Sequence, residues 1–327
     1  MSLRAFRVGV VGARRVREGT GAFLAGHVQA TGCKVVAVAG TALDGAAVAA
    51  KELAERYGIA AMPYASAVAM VEHEALDALV IASPTPTHGA LLDLALDAGL
   101  HALVEKPLVF GPGDWVARGT ALVAAFAARD LCLVTNAQWR HALSTYMRLF
   151  PDVAPRRASR CEMALAPSVG GAAAVPVAMP HPLSVLDHLY PTSTPGLRDL
   201  RVTGTPDAFE VAFTHPGRDV ACVVRLVQTE ARPRPFSFGF DGAVAHRTIT
   251  EPGYRMALAT EAGDRSVPLP DPVEAVVKDF VARVRRGPPF PPEGFAVPGL
   301  VHLRQVAEAA AAAFGGRGGF AAAPGSD

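Results

Sequence analysis

The chain has 327 residues, of which 50% are hydrophobic and 19% are charged, a composition typical of a compact globular protein rather than a disordered one. The 31 Lys and Arg residues nearly balance the 30 Asp and Glu residues, so no large net charge attracts nucleic acid or an acidic membrane surface. No apolar run reaches the ~18 residues of a membrane-spanning helix. We therefore expect neither nucleic acid nor a membrane as partner. The length favours about two domains.

Short apolar runs alternate with longer helical stretches up to residue 134, an order typical of a parallel sheet wrapped by crossover helices. The predicted strands are residues 7–11, 34–39, 78–82, 101–104 and 131–134, and the predicted helices are residues 20–31, 44–57, 87–98 and 114–129. Because these strands are apolar throughout, the sheet should be buried on both faces. We therefore predict an α/β domain with a doubly wound parallel sheet over residues 1–135.

After about residue 136 the pattern changes to strand-like segments at short spacing, without helices between them. These segments are residues 208–214, 219–228, 236–240 and 243–250, and two helical stretches, 272–285 and 301–314, follow them. We predict an α+β domain over residues 136–327 with a large, mostly antiparallel open sheet. Residues 220–227 are apolar at nearly every position and would leave an apolar patch on the outer face, so we expect a homodimer or homotetramer packed through this sheet.

A glycine turn follows the first predicted strand and precedes the first predicted helix. Such a turn lets the backbone approach the pyrophosphate of a dinucleotide, as in a Rossmann domain, while the helix N-terminus faces the negative charge. The usual G-x-G-x-x-G spacing is not intact, and an ordinary glycine turn between strand and helix is the alternative interpretation. The candidate cofactor contacts in this segment are Gly12, Ala13, Arg14 and Arg15.

The second predicted strand ends at Gly40 and Thr41, where an NAD-specific domain would place an acidic residue against the ribose 2′-hydroxyl. No carboxylate repels a 2′-phosphate here, Thr41 can donate a hydrogen bond to one, and Arg14 or Arg15 could pair with it. We therefore predict NADP as cofactor, with NAD possible. A solvated surface loop is the alternative interpretation of the two arginines.

Two polar segments follow the strands at residues 78–82 and 101–104: Ser83-Pro84-Thr85-Pro86-Thr87-His88 and Glu105-Lys106-Pro107. The passage from residue 78 to 110 closely resembles the glucose-fructose oxidoreductase/inositol dehydrogenase (Gfo/Idh/MocA) family. The hallmarks of that family are Glu-Lys-Pro after the fifth strand and a Thr-Pro-x-x-x-His segment after the fourth. In layout, the likeness extends over essentially the whole chain.

The resemblance implies that Lys106 lies beside the nicotinamide and the substrate hydroxyl, while Glu105 and Pro107 shape the turn. It also implies cofactor contacts by Ser83, Pro84, Thr85, His88, Glu105 and Lys106. The physical interpretation agrees, because both segments follow the carboxyl ends of parallel strands, where open α/β sheets bind ligands. Proline restricts the backbone of this turn, and a lysine in such a cleft suits proton transfer. A surface lysine is the alternative.

The resemblance also suggests residues of the second domain. Arg140 follows the crossing into that domain and should face the substrate. Many relatives carry Asp-x-x-x-His on a helix over the nicotinamide; His181 stands at the histidine position here, but Val177 replaces the aspartate. Lys106 and His181 are therefore the predicted proton carriers. His188, seven positions further along the same predicted helix, is a reserve candidate for substrate binding. Each histidine could instead be a satisfied helix residue packed between domains.

A metal site is not expected. His181, Asp187 and His188 could be imagined as ligands, but no further carboxylate or cysteine stands at a suitable spacing. The four cysteines form no CxxC pair, so neither zinc nor a disulfide framework is indicated, and a reducing cytoplasm is the expected location.

The resulting functional hypothesis is a nicotinamide-dependent oxidoreductase acting on CH–OH groups. It would transfer a hydride to or from a small hydroxyl, carbonyl or imine substrate such as a sugar, a cyclitol or a secondary metabolite. The alternative is a catalytically silent, nucleotide-sensing regulatory protein of the same fold, which the irregular glycine loop and Val177 would suit.

Overall fold

The computed structural model describes residues 5–14, 20–192, 196–250 and 254–315. These residues form two compact units. The first comprises the chain up to Asn136 together with Val273–Glu293, and the second comprises Ala137–Pro272 together with the chain from Gly294.

The first unit is built on a six-stranded parallel sheet in the order β3-β2-β1-β4-β5-β6. The strands are β1 Arg7–Val11, β2 Lys34–Ala39, β3 Met62–Tyr64, β4 Ala78–Ile81, β5 His101–Val104 and β6 Leu133–Thr135. The helices are α1 Gly21–Ala30, α2 Leu43–Tyr57, α3 Ala67–His73, α4 His88–Asp97 and α5 Trp115–Ala128. This order, reversing between β1 and β4, is that of a Rossmann sheet, so the predicted fold of the N-terminal domain is confirmed.

The second unit contains an eight-stranded sheet in the order β14-β13-β12-β11-β7-β10-β9-β8, antiparallel except where β7 lies parallel to β10. Its strands are β7 Arg160–Leu165, β8 Arg198–Thr205, β9 Ala208–His215, β10 Val220–Val227, β11 Phe236–Phe240, β12 Ala243–Thr250, β13 Arg255–Thr260 and β14 Ser266–Leu269. Its helices include a 3-10 turn at Gln138–Ala142, α6 Leu143–Leu149, α7 Gly171–Ala178 and α8 Pro180–Leu189. The predicted mostly antiparallel sheet is confirmed.

Burial alternates along β10, as expected for a strand with one covered face. Cys222 and Val224 are buried, whereas Ala221 and Arg225 are exposed. On the outer face, Arg225 forms ion pairs with Glu162 and Glu210. That face therefore combines small apolar residues with a charged centre and is less apolar than the composition of β10 alone suggested.

Two helices end the described part of the chain, α9 Pro272–Arg286 and α10 Ala296–Phe314. The apolar face of α9, including Val277 and Phe280, lies in one buried cluster with Val8 and Val10 of β1. Burial of that face against the Rossmann core explains why residues 273–293 belong to the first unit, whereas their place in the sequence predicts the domain of residues 136–327. No described helix combines the length and apolarity required to cross a bilayer.

Candidate active site

The glycine turn after β1 is held by close backbone contacts. Gly12 has a φ of +83°, and its amide donates to the Ala39 carbonyl of β2. A Cβ atom on Gly12 would lie 2.7 Å from the backbone carbonyl carbon of Ala82 and from the Ser83 nitrogen, and one on Gly21 would overlap the Gly12 carbonyl. The chain therefore requires glycine at both positions to bring the turn against the start of α1.

The N-terminus of α1 lacks a side-chain cap. Thr20 occupies the capping position, but its hydroxyl donates to the Glu105 carboxylate at 2.5 Å instead of accepting from the first turn. Amide groups at a helix start without a side-chain cap are suited to an anionic group such as a phosphate.

The predicted residues for the 2′-phosphate lie around the start of α2. Arg14 and Thr41 are both exposed. One terminal nitrogen of Arg14 lies 3.7 Å from the position of a Cβ atom on Gly45, in the first turn of α2. Arg15 lies outside the described residues. Ala13, the remaining predicted contact of this turn, is buried.

The loop after β4 is tied to the loop after β5 by His88. Its ring nitrogens lie 2.9 Å from the Pro107 carbonyl oxygen and 2.9 Å from the Ser83 carbonyl oxygen, and the side chain is 1% exposed. His88 therefore fixes the two loops relative to each other. Pro84 is exposed and Thr85 half-buried on the same loop.

The Glu105-Lys106-Pro107 turn follows β5 at the carboxyl edge of the sheet, and the Lys106–Pro107 peptide bond is cis. One oxygen of Glu105 accepts hydrogen bonds from the Thr20 hydroxyl and, at 2.6 Å, from the Asn136 amide. The other accepts from the Lys106 amide at 3.2 Å. Because the carboxylate satisfies donors from three segments, the backbone that carries the half-buried Lys106 side chain is held in one conformation.

In the second unit, His181 lies in the first turn of α8 and packs against an aromatic cluster. Its ring meets Trp139 edge to face, with centroids 6.3 Å apart, and Trp139 stacks on Phe236 at 3.7 Å. The Arg247 guanidinium lies over both aromatic rings. Val177, at the position where the family resemblance predicts aspartate, is 39% exposed on α7.

Arg140 and His188 lie near each other in the same unit. Arg140 is 8% exposed, and its guanidinium carbon lies 4.8 Å from the centre of the Phe295 ring. His188 is exposed, but desolvation of part of its ring and the charges of Arg140 and Arg156 lower its pKa from the ordinary value. At neutral pH this side chain is therefore a neutral imidazole, able to accept a proton.

Two residues that support the turn have no signal in the local sequence. Thr20 and Asn136 hold Glu105 from positions 85 and 31 residues away in the chain. Asn136 stands at the predicted boundary between the two domains, and nothing in its local sequence marks it as a partner of a distant carboxylate. It directly follows β6, and Glu105 directly follows the neighbouring strand β5, so the shared sheet edge was the available signal.

Comparison with known proteins identifies the first unit. Residues 6–136 match the GFO_IDH_MocA family, described as an oxidoreductase family with an NAD-binding Rossmann fold. The chain is 36% identical over 131 residues to inositol 2-dehydrogenase 1 of Saccharopolyspora erythraea, a match that covers 36% of each protein. It is 33% identical over 89 residues to D-apiose dehydrogenase of Paraburkholderia graminis, covering 27% of this chain and 23% of the relative. The matches thus span about a quarter to a third of these relatives.

Similarity to solved structures extends over nearly the whole fold. KijD10, a 3-ketoreductase from Actinomadura kijaniata solved in complex with NADP, superposes with a TM-score of 0.69 at 19% identity and covers 94% of this chain and 98% of that chain. At this identity the match supports the fold of both units. The N-terminal unit thus matches, over residues 6–136, the GFO_IDH_MocA oxidoreductase family with its NAD-binding Rossmann fold.

Proposed function

We propose that the protein is an NADP(H)-linked oxidoreductase that moves a hydride to or from a carbon bearing a hydroxyl, carbonyl or imine group. The substrate would be a sugar, a cyclitol or a small secondary metabolite. The observation that carries this proposal is the Glu105-Lys106-Pro107 turn, whose carboxylate is held by Thr20 and Asn136 at the carboxyl edge of a Rossmann sheet.

The residues around the glycine turn fit a dinucleotide. Gly12 keeps the turn free of a side chain where the backbone must come close to the pyrophosphate, and the uncapped start of α1 faces the same region. Ser83 and Thr85 line the neighbouring loop after β4. The nicotinamide, when bound, supplies or accepts the hydride.

Lys106 is assigned as the group that gives a proton to, or takes one from, the substrate oxygen or nitrogen. His181 is assigned as a second proton carrier. Val177 supplies no carboxylate at the position where the family resemblance predicts one, and the imidazole of His181 packs against Trp139, so its contribution should be smaller. Arg140 and His188 are assigned to substrate binding.

The decisive experiment mixes the purified protein with NADPH or NADH and a panel of aldehydes, ketones and cyclic imines, and follows cofactor absorbance. The reverse direction is assayed with NADP⁺ and sugars or cyclitols. Turnover of any member supports the proposal. Tight nucleotide binding with no turnover across the panel would contradict it and favour the nucleotide-sensing alternative, which the missing carboxylate at Val177 suits.

NADPH is expected to bind more tightly than NADH. Arg14 lies beside the first turn of α2, and Gly40 and Thr41 place no carboxylate where the 2′-phosphate would sit. Gly40→Asp should weaken NADPH binding by roughly tenfold, because the new carboxylate would repel the 2′-phosphate. A calorimetric titration measures both affinities.

Gly40→Asn is the matched control for that variant, because it adds a side chain of the same size without charge. A Cβ atom on Gly40 would meet the Ala42 carbonyl oxygen at 3.4 Å, an ordinary contact, so both variants should fold. Tighter binding of NADH than NADPH by the unaltered protein would refute the cofactor assignment.

A homodimer or homotetramer packed through the outer face of the C-terminal sheet is also expected. That face carries Val227, which is 53% exposed, beside the ion pairs of Arg225. Burial of such a face against its copy would remove the apolar residues from water and pair the charges across the contact. Light scattering that reports only the 34.0 kDa monomer at micromolar concentration would exclude this assembly.

We assign the protein to the cytoplasm. Its four cysteines, Cys33, Cys132, Cys161 and Cys222, are all buried free thiols, the state that a reducing compartment maintains. Fractionation of the producing cells tests this assignment.

A further inference from the structure

Three side chains that have no assigned part in hydride transfer converge in the interior of the second unit. They are Asp187 of α8, His215 at the end of β9 and His302 of α10. One donor atom from each lies within 4.8 Å of the other two, and the three residues are 0–2% exposed. Three separate elements of the chain therefore place a carboxylate and two imidazoles around one point.

The Asp187 carboxylate is unusually placed for a buried charge. Its Oδ1 atom lies 2.9 Å from His215 Nε2 and 2.9 Å from His302 Nδ1, while its Oδ2 atom has no hydrogen-bond partner. Within the described part of the chain, no Lys or Arg forms an ion pair with it. A carboxylate removed from water needs a compensating positive charge, since leaving it unpaired is strongly destabilising.

The His302 ring is not satisfied by hydrogen bonding. Neither ring nitrogen has a hydrogen-bond partner, even though Nδ1 is only 2.9 Å from the carboxylate oxygen. The two atoms are close without the alignment of a hydrogen bond. Donors that each bind one zinc ion at about 2.0–2.1 Å also lie roughly 3 Å apart, without pointing at one another.

We propose that Asp187, His215 and His302 form a binding site for one divalent transition-metal ion, with Zn²⁺ as the representative. Two imidazoles and a carboxylate are a ligand set that such ions favour. The ion would neutralise the buried carboxylate and join α8, β9 and α10. The proposal does not depend on the hydride chemistry, because none of the three residues is assigned a part in it.

Metal binding changes one existing contact. The Nδ1 atom of His215 now accepts a 3.2 Å hydrogen bond from the Gly217 amide, so Nε2 carries the ring proton and donates to Asp187. Binding through Nε2 moves the proton to Nδ1, and the Gly217 contact must open. The competing arrangement is a metal-free cluster in which a proton on one histidine balances the carboxylate.

The test uses the full chain, first stripped of metal with a chelator. After incubation with Zn²⁺ and removal of unbound ion, elemental analysis is expected to find one ion per chain. The thermal unfolding midpoint should rise by on the order of 5 °C, because the ion binds the folded state alone. Anomalous diffraction at the zinc edge should locate the ion between Asp187, His215 and His302.

His302→Gln removes one ligand and is expected to abolish both the bound ion and the shift in midpoint. His246→Gln is the matched control, because His246 is a half-buried histidine of the same unit whose Nε2, like that of the buried His302, lacks a hydrogen-bond partner. The control should bind zinc as the unaltered protein does. No bound zinc in the natively folded, unaltered protein, or an anomalous peak elsewhere, would overturn the proposal whatever the variants do.

Discussion

Replacement of Lys106 by Ala is expected to lower the turnover number by on the order of 10²–10⁴-fold, the range for a lost general acid or base. The Lys106 side chain extends from a turn that Glu105 stabilises by accepting hydrogen bonds from Thr20 and Asn136. These bonds do not involve the lysine amine, so the variant should keep the turn. The turnover number is measured at saturating cofactor, with circular dichroism to establish that the fold is intact.

Lys106→Arg separates charge from proton transfer. The guanidinium keeps the positive charge but stays protonated, so it cannot accept a proton from the substrate. Turnover should therefore remain low, while nucleotide affinity should stay close to that of the unaltered protein. Near-normal turnover in Lys106→Ala would refute the assigned role and revive the nucleotide-sensing alternative.

His181→Ala serves as the comparison for this series. The imidazole packs against Trp139, and Val177 provides no carboxylate to orient it. Its removal should reduce turnover by less than the removal of Lys106. A larger loss in His181→Ala would reverse the assignment of the two proton carriers.

The N-terminal sheet was predictable because its strands are buried on both faces and therefore consist of consecutive apolar residues. Bounds for β1, β2 and β5 agree with the prediction to the residue. β3 was missed, since it has three residues and its first, Met62, is exposed. The sequence also does not predict which domain α9 packs against, because its apolar face could be buried in the core of either the N-terminal or the C-terminal domain.

The C-terminal sheet was predicted less completely, for a related reason. β8 exposes most of its residues, so it carries no apolar alternation. β7 lies between β10 and β11, and its pairing with β10 joins segments about 60 residues apart. Pairing of this kind depends on the folded topology and leaves no local pattern.

In the candidate site, too, residues of a local motif could be predicted and contacts between distant elements could not. Lys106 stands out because a short motif follows a strand, so its place at the sheet edge can be inferred from local sequence. Asp187 was considered with its neighbour His188, but on α8 the two point to different environments: Asp187 is buried with His215 and His302, whereas His188 is exposed. The cluster joins elements far apart in the chain, and local spacing could not reveal it.

Gly12→Ala is expected to reduce NADPH affinity by at least roughly tenfold and the free energy of unfolding by about 1–3 kcal/mol, the cost of a strained backbone position. The residue has a φ of +83°, which alanine adopts at a cost. Its new Cβ atom would also lie 2.7 Å from the backbone at Ala82 and Ser83. These neighbours are main-chain atoms at the end of β4, so relief requires a shift of the turn that should hold the pyrophosphate.

Gly99→Ala isolates the conformational part of this effect. Gly99 has a φ of +68° in the same unit, but a Cβ atom there would meet nothing within 4 Å. The Gly99→Ala variant should lose stability through backbone strain alone and keep its affinity for NADPH. Urea unfolding gives the stability of each variant, and a fluorescence titration gives the nucleotide affinity. Equal affinities in the two variants would show that the turn at Gly12 takes no part in nucleotide binding, since the close approach to Ala82 and Ser83 is what distinguishes the two glycines.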